Sequence, residues 1–408
     1  MSLGVSLVEA CKQGDPNRVR SILDSARSTR ELDDVLSHHD DNGRTALLVA
    51  CAAGGPSLLP TRPTHEMLDT INREQVQRHH EQALRLSTCE ERDRGFIECV
   101  RLLLEYRAKV NEDRDADERS CMHIAATAPS SVSNAIVELL IEHQAEVNVT
   151  DLDEQTALHW AARANNAATA SSLLAHDASL IDAVDSCGYT ALHEAAMEGS
   201  ELVARVLLDA RASIDARDLE LETPLMFAIL HGHGNVASLL IESRADVNVT
   251  DEDQRTALHC AAVGGGDGSL VSVLLDARAE LDARDSKLRT PLHVASIKGE
   301  KLVVSALVGA RANVEAIDRY GYRAIHWATI SNGGGNLDVL ASLVHEGHAR
   351  VDTPCGTIAA SPIDLALSHP TKNLTCILTL LDLGSKPATL QSNQLLSEYL
   401  ALNYRGML

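Results

Sequence analysis

The stretch DSCGYTALHEAAMEGSELVARVLLDARASIDARD occupies residues 185–218, and its phrases return at a fixed distance. TALHWAA begins at Thr156, TALHEAA at Thr190, TPLMFAI at Thr223, TALHCAA at Thr256 and TPLHVAS at Thr290, in steps of 34, 33, 33 and 34 residues. Looser copies lie on both sides: TALLVACAAGG from Thr45, SCMHIAA from Ser120, RAIHWAT from Arg323 and SPIDLAL from Ser361. A fixed period near 33 is the mark of stacked structural units.

Each period reads as one unit. Thr is a good N-cap and Pro is tolerated in a first turn, so a short apolar helix starts at each TALH-type phrase. A Gly-containing break such as MEGSE or IKGEK ends it, and a second helix follows with apolar positions at helical spacing, as at Val203, Val206, Leu207 and Leu208. An Asp-rich segment, DARDLELE or DARDSKLR, then leads to the next Thr. Neither helix buries its apolar face alone, so neighbouring units have to stack.

The order D-x-x-G-x-T-[AP]-L-H-x-A-A, then V-x-x-L-L, then A-x-[VI]-[ND]-A, resembles the ankyrin repeat over nearly the whole chain. The resemblance implies an all-α solenoid of stacked antiparallel helix pairs with projecting loop or β-hairpin fingers, in about ten repeats. It implies a single solenoid over 1–385, with an N-terminal capping repeat at 1–38 and a long insertion at 56–94 within the second repeat. Regular repeats run over about 115–355, a degenerate last repeat over 356–385, and a C-terminal capping helix or tail over 386–408. Leu395, Leu396, Tyr399 and Leu400 form the stripe of that last helix.

Where the family usually ends its second helix on a left-handed Gly, this chain has Arg107, Gln144, Asp177, Arg211, Arg244, Arg278, Arg311 and His348. A left-handed non-Gly residue costs about 1 kcal/mol, partly offset by a cation at a helix C-terminus. Arg211, Arg244, Arg278 and Arg311 form a basic row expected to pair with nearby carboxylates such as Asp209, Glu242, Asp276 and Glu280, the alternative being a site for an acidic partner.

Formal net charge is −22, which disfavours nucleic acid and anionic membrane as partners and directs attention to proteins. Nine scattered Cys without a CxxC pair fit free thiols in a reducing compartment, and no basic leader or long apolar run marks secretion or a membrane span. A cytoplasmic or nuclear monomer is expected.

No phosphate loop, GxSxG or HExxH is present, so no enzyme, cofactor or metal is expected. His159, His193, His259, His293 and His326 recur with TALH, and the resemblance implies that they hydrogen-bond loop to helix. His38-His39 and His79-His80 are the densest candidates for a metal-dependent enzyme, a weak alternative because adjacent side chains need not converge. DRDAD (113–117) opens like a calcium loop but has Glu118 where Gly is required and Ile124 where the bidentate Glu is required. Trp160, Phe227, Cys260, Val294 and Trp327 share a core slot after the His. Asn148 and Asn248 match the acceptor pattern that the resemblance associates with asparaginyl hydroxylation.

The resemblance also implies binding of a protein partner through finger tips and the exposed face of the first helices. Those slots hold Asp153, Tyr189, Glu198, Glu220, Glu222, His231, Glu252 and Asp253, then Lys287, Arg289, Lys298, Arg319, Tyr320 and Tyr322. The charge changes sign along the chain, and Tyr and Arg are enriched among residues that dominate binding energy. A non-enzymatic scaffold or adaptor is the function this implies, the alternative being a regulator that inhibits or escorts an enzyme or assembly by occlusion.

Overall fold

Thr156, Thr190, Thr223 and Thr290 hold extended backbone, with φ between −105 and −87°, immediately ahead of a helix. The structure, a computed structural model, describes residues 3–26, 29–40, 42–52, 89–264, 268–331, 335–355, 360–368 and 374–386. These fall into two units, Met1–Ser213 and Ile214–Leu408.

The first unit contains α1 (Leu3–Gln13), α2 (Pro16–Ser25), α3 (Thr29–Leu36), α4 (Ala46–Cys51) and α5 (Cys89–Glu105). It continues with α6 (Cys121–Thr127), α7 (Ser130–Glu142), α8 (Ala157–Arg163), α9 (Ala167–His176), α10 (Ala191–Glu198) and α11 (Glu201–Asp209). First helices stack on first helices, α4 on α6, α6 on α8 and α8 on α10, while the second helices α7, α9 and α11 form their own row.

The second unit repeats the plan with α12 (Pro224–Leu230), α13 (Gly234–Glu242), α14 (Ala257–Gly264), α15 (Ser269–Asp276) and α16 (Pro291–Lys298). Then follow α17 (Lys301–Gly309), α18 (Ala324–Ile330), α19 (Leu337–Ala341), α20 (Pro362–Ser368) and α21 (Leu374–Asp382). Again α12, α14, α16, α18 and α20 form one row, and α13, α15 and α17 another.

Small side chains permit this close stacking. Ala157, Leu158, Ala161 and Ala162 of α8 are fully buried, as are Ala191, Leu192, Ala195 and Ala196 of α10. Removing a buried Leu such as Leu158 would cost about 2–5 kcal/mol. Among the described residues there is no strand, only single bridges at Arg114–Ser120, Thr150–Thr156 and Cys355–Ala360. The fingers are tight turns, not laddered hairpins.

Two expectations change. Helix α5 starts at Cys89, so its first turns lie within the expected 56–94 insertion; residues 53–88 and the terminal stripe at 395–400 lie outside the described residues. Within α5, Gly95 is required by packing, since a Cβ there would lie 2.2 Å from the Gly14 carbonyl oxygen. The left-handed helix end is present at Arg107, Gln144, Arg211, Arg244, Arg278, Arg311 and His348, with φ from 54 to 73°, but Asp177 has φ −138°. Asp177 instead caps a 3-10 turn over Ala178–Asp182, accepting the Ser179 N–H on its side chain. Finally, among the described residues Arg211, Arg244, Arg278 and Arg311 form no ion pair with the carboxylates expected to hold them. All four are exposed, where hydration competes well with a surface ion pair.

Candidate interaction surface

Each finger is built on one Asp. Oδ1 of Asp285 accepts the backbone N–H of Lys287 at 2.9 Å and of Arg289 at 2.8 Å. The same +2 and +4 pattern recurs at Asp40, Asp115, Asp151, Asp185, Asp218 and Asp318. The +3 residue is left-handed, as Gly43, Gly188 and Gly321 but also as Glu118, Glu154, Leu221, Gln254 and Leu288. Asp is suited to this turn because its short carboxylate reaches its own following backbone donors.

The second carboxylate oxygen is where fingers differ. Arg44, Arg119, Arg255 and Arg289, each at +4, close onto it at 2.6–3.0 Å. Where Trp stands nine residues on, its indole N–H takes that place: Trp160 to Asp151 at 2.8 Å and Trp327 to Asp318 at 2.9 Å. The core slot after the His therefore also anchors the finger, a role that core packing alone did not suggest. The D-x8-W spacing was the available signal.

The recurrent His ties successive units. His159 Nδ1 accepts the Thr156 backbone N–H at 3.1 Å, and Nε2 lies 2.9 Å from the Tyr189 carbonyl oxygen. A carbonyl only accepts, so Nε2 carries the proton and Nδ1 must stay bare. His123, His259, His293 and His326 make the same bridges to Gln155, Arg289, Tyr322 and Thr353. Burial holds His123 and His326 down to about 4 and lowers His159, His259 and His293. Among the described residues no group of His, Cys, Asp or Glu is placed to hold a metal ion; His79-His80 lies outside them.

The selected surface residues divide into two kinds. Asp153, Glu220, Glu252, Asp253, Arg319 and Tyr320 are exposed at finger tips, and Glu198, His231 and Lys298 are exposed at the ends of first helices. Tyr189 and Lys287 are half-buried. Three others belong to the framework. Arg289 is locked to Asp285 at 2.6 Å, and Tyr322 packs edge-on against Trp327 at 5.3 Å. Glu222 is buried beside Asp218 with Arg255 3.5 Å away; burial first, then the Asp218 charge, push it up to about 7.

The Asn candidates are not equivalent. Asn248 donates to the Arg278 carbonyl oxygen at 3.1 Å and accepts the Glu280 N–H at 2.8 Å, tying neighbouring units. Asn111 ties Gln144 and Glu146 likewise. Asn148 makes no such side-chain bond among the described residues, because the following unit departs at Asp177.

In the first unit, the buried Glu194 gathers Arg163 at 3.2 Å and Gln155 at 3.1 Å. The Arg119 and Arg163 guanidiniums lie 5.5 and 4.9 Å from the Trp160 ring centre. This network places paired charge and an aromatic ring between successive repeats of the first unit.

A model of ankyrin repeats (3 copies) matches residues 122–218, 215–285 and 261–354. The chain belongs to the ankyrin repeat family. Its repeats are similar to a transient receptor potential cation channel subfamily A member 1 homolog from Caenorhabditis elegans, 36% identical over 111 residues, covering 27% of this chain and 9% of that protein. They are also similar to Rabankyrin-5 of Mus musculus and of Homo sapiens, 31% identical over 134 residues, covering 32% of this chain and 11% of those proteins. The chain thus spans about a tenth of the length of these curated relatives. Ankyrin repeats are protein–protein interaction modules. Among the described residues no helix is long and apolar enough to cross a membrane.

Proposed function

We propose that this ankyrin chain is a non-enzymatic scaffold or adaptor that binds a protein partner through its finger tips and the ends of its first helices. The array extends over ten repeats from residue 1 to 385, and the protein works in the cytoplasm or nucleus, where its thiols stay reduced. Among the described residues eight cysteines form no disulfide, which supports that placement. Asn148 and Asn248 are candidate hydroxylation positions, with Asn148 the less constrained.

The observation that carries the binding role is the division of charge in the second unit. Arg255 and Arg289 are used inside their own fingers, whereas Lys287, Arg319 and Tyr320 at the tips are not held by any ion pair among the described residues. Charges left at the rim steer association and choose partners more than they add affinity.

A crosslinking pull-down from cell extract tests this, comparing dilute intact chain with a Lys287→Ala/Lys298→Ala/Arg319→Ala/Tyr320→Ala variant. Loss of a prominent partner with unchanged helicity and melting is expected; retention of every partner would overturn the assignment of these tips. Arg289 and Tyr322 stay intact in that variant because replacing them would disturb the fold. The partner's own activity, measured with and without the chain, separates an adaptor from an occluding regulator.

A further inference from the structure

The four fingers between Asp218 and Tyr322 lie side by side in register within the second unit. The Glu252 N–H donates to the Glu220 carbonyl at 3.0 Å, Ser286 N–H to Asp253 at 2.7 Å and Arg319 N–H to Lys287 at 3.0 Å. Each step along the row is thus one finger and one backbone bond. The tips read, in order, Leu219-Glu220-Leu221, Glu252-Asp253, Lys287-Leu288 and Arg319-Tyr320.

Two properties of this row are unusual for a solvated loop edge. First, it exposes apolar side chains: Leu219 is 73% exposed, Tyr320 54%, Leu288 44% and Leu221 40%. Second, its charge is sorted and little of it is held in ion pairs, although Arg319 lies over the Tyr320 ring at 5.9 Å and Asp253 accepts the Ser286 hydroxyl at 3.4 Å. Glu220, Glu252, Lys287 and Arg319 form no ion pair among the described residues, and Asp253 reaches Arg255 only at 4.0 Å. The fold's own pairs sit one layer deeper, at Arg255–Asp251 and Arg289–Asp285, both 2.6 Å.

A row that is acidic in its first half and basic in its second is its own complement. A half-turn about an axis through the gap between the second and third fingers sets finger one against finger four, and two against three. Glu220 then meets Arg319, Glu252 and Asp253 meet Lys287, and Leu219 and Leu221 meet Tyr320. An isologous two-fold contact requires this reciprocity, since residue i facing j implies j facing i.

We infer that this finger row is the contact through which a second copy of the chain docks, antiparallel, to form a two-fold dimer. This departs from the monomer expected from the sequence. The net charge of −22 opposes it at long range, but at physiological ionic strength that repulsion is screened within about 8 Å, while facing tips act at contact. Association is therefore strongest at intermediate salt and weaker on either side. Four loops make a small interface, so the dimer is transient. Because it uses the tips assigned above to a partner, dimer and foreign partner exclude each other, and concentrated chain masks its own surface.

Sedimentation velocity of the full chain, from micromolar to sub-millimolar concentration, tests the inference. Two variants are needed: an all-acidic row, Lys287→Glu/Arg319→Glu, and an all-basic row, Glu220→Lys/Glu252→Lys/Asp253→Lys. The natural chain is expected to show a reversible monomer–dimer equilibrium, weakened about tenfold or more in each variant alone. Mixed in equal amounts, the two variants are expected to dimerise with each other. Thermal melting confirms that both remain folded. A natural chain that stays monomeric throughout, a dimer that persists in both variants, or a mixture that stays monomeric would each overturn the inference. The pull-down with dilute chain would still stand or fall separately.

Discussion

The fingers that begin at Asp285 and at Asp218 share one backbone and differ in what closes them. In both, Oδ1 accepts the N–H groups at +2 and +4, and in both the +3 residue is a left-handed Leu, Leu288 at 58° and Leu221 at 61°. At +4, however, Arg289 folds onto Asp285, while Glu222 faces Asp218. Burial works against ionisation of Asp285, but the side-chain and backbone hydrogen bonds from Arg289 outweigh it and hold the carboxyl below its usual range. Glu222 goes the other way, up to about 7. The backbone donors set the shape of a finger, and the +4 side chain sets only its electrostatics.

The largest expected effect is on the acid side and concerns all fingers together. The buried His have folded pKa values below the ordinary 6.5, so the unfolded chain binds the protons, and stability present above 6.5 is lost as pH falls toward 4. Protonating Nδ1 would set a proton against the helix-capping backbone N–H that it now accepts, from Thr156, Thr256 and Thr290 and, at His123 and His326, from Ser120 and Arg323. Urea unfolding between pH 7 and pH 4 should lose on the order of 5 kcal/mol. Glu222 has the opposite sign: its folded pKa of about 7 exceeds the ordinary 4.5, so it costs stability as pH rises through that window. A flat acid limb would mean that the His bridges are not buried as described.

Asp285→Ala is the next largest change, removing an acceptor for two backbone donors and leaving Arg289 without its carboxylate. Denaturant titration should show a loss of about 3 kcal/mol. Asp218→Ala removes the same two backbone bonds but relieves Glu222, so its loss should be smaller, about 1–2 kcal/mol. Equal losses would break the comparison.

Glu222→Gln sharpens it, because Gln155 already occupies the +4 position of the Asp151 finger. The variant should gain about 1–2 kcal/mol at pH 8 and little at pH 4.5, where Glu222 is already neutral. A gain that does not depend on pH would assign the effect to packing.

The smallest effect distinguishes helix ends. Arg211→Gly, at φ 68°, should gain up to about 1 kcal/mol and raise the melting temperature. Asp177→Gly should lower it, because Asp177 is extended and its side chain caps the Ser179 N–H.

Much of this was legible before the structure. The Thr steps located the first helices, and the missing Gly of the repeat consensus located left-handed positions at Arg211, Arg244, Arg278 and Arg311. These are local signals, carried by backbone conformation within a few residues. Asp177 failed because the residues after it, Ala178–Asp182, turn as a 3-10 helix, which no slot in the repeat consensus anticipates. The candidate surface was legible as positions but not as availability. Arg289, Tyr322 and Glu222 were chosen by slot alongside Arg319 and Tyr320, yet the first three are absorbed into the framework.

The amino-acid sequence alone determined the period, the Thr caps, the small-residue core and the family, because each depends on residue type at fixed spacing along the chain. Tertiary structure alone decided which charges are used internally and which remain at the rim. Arg289 and Lys287 are two residues apart in one finger, but the Asp285 carboxylate closes on the first side chain and takes only the backbone N–H of the second. That choice depends on where a side chain points once a turn has closed, and only the folded turn specifies it.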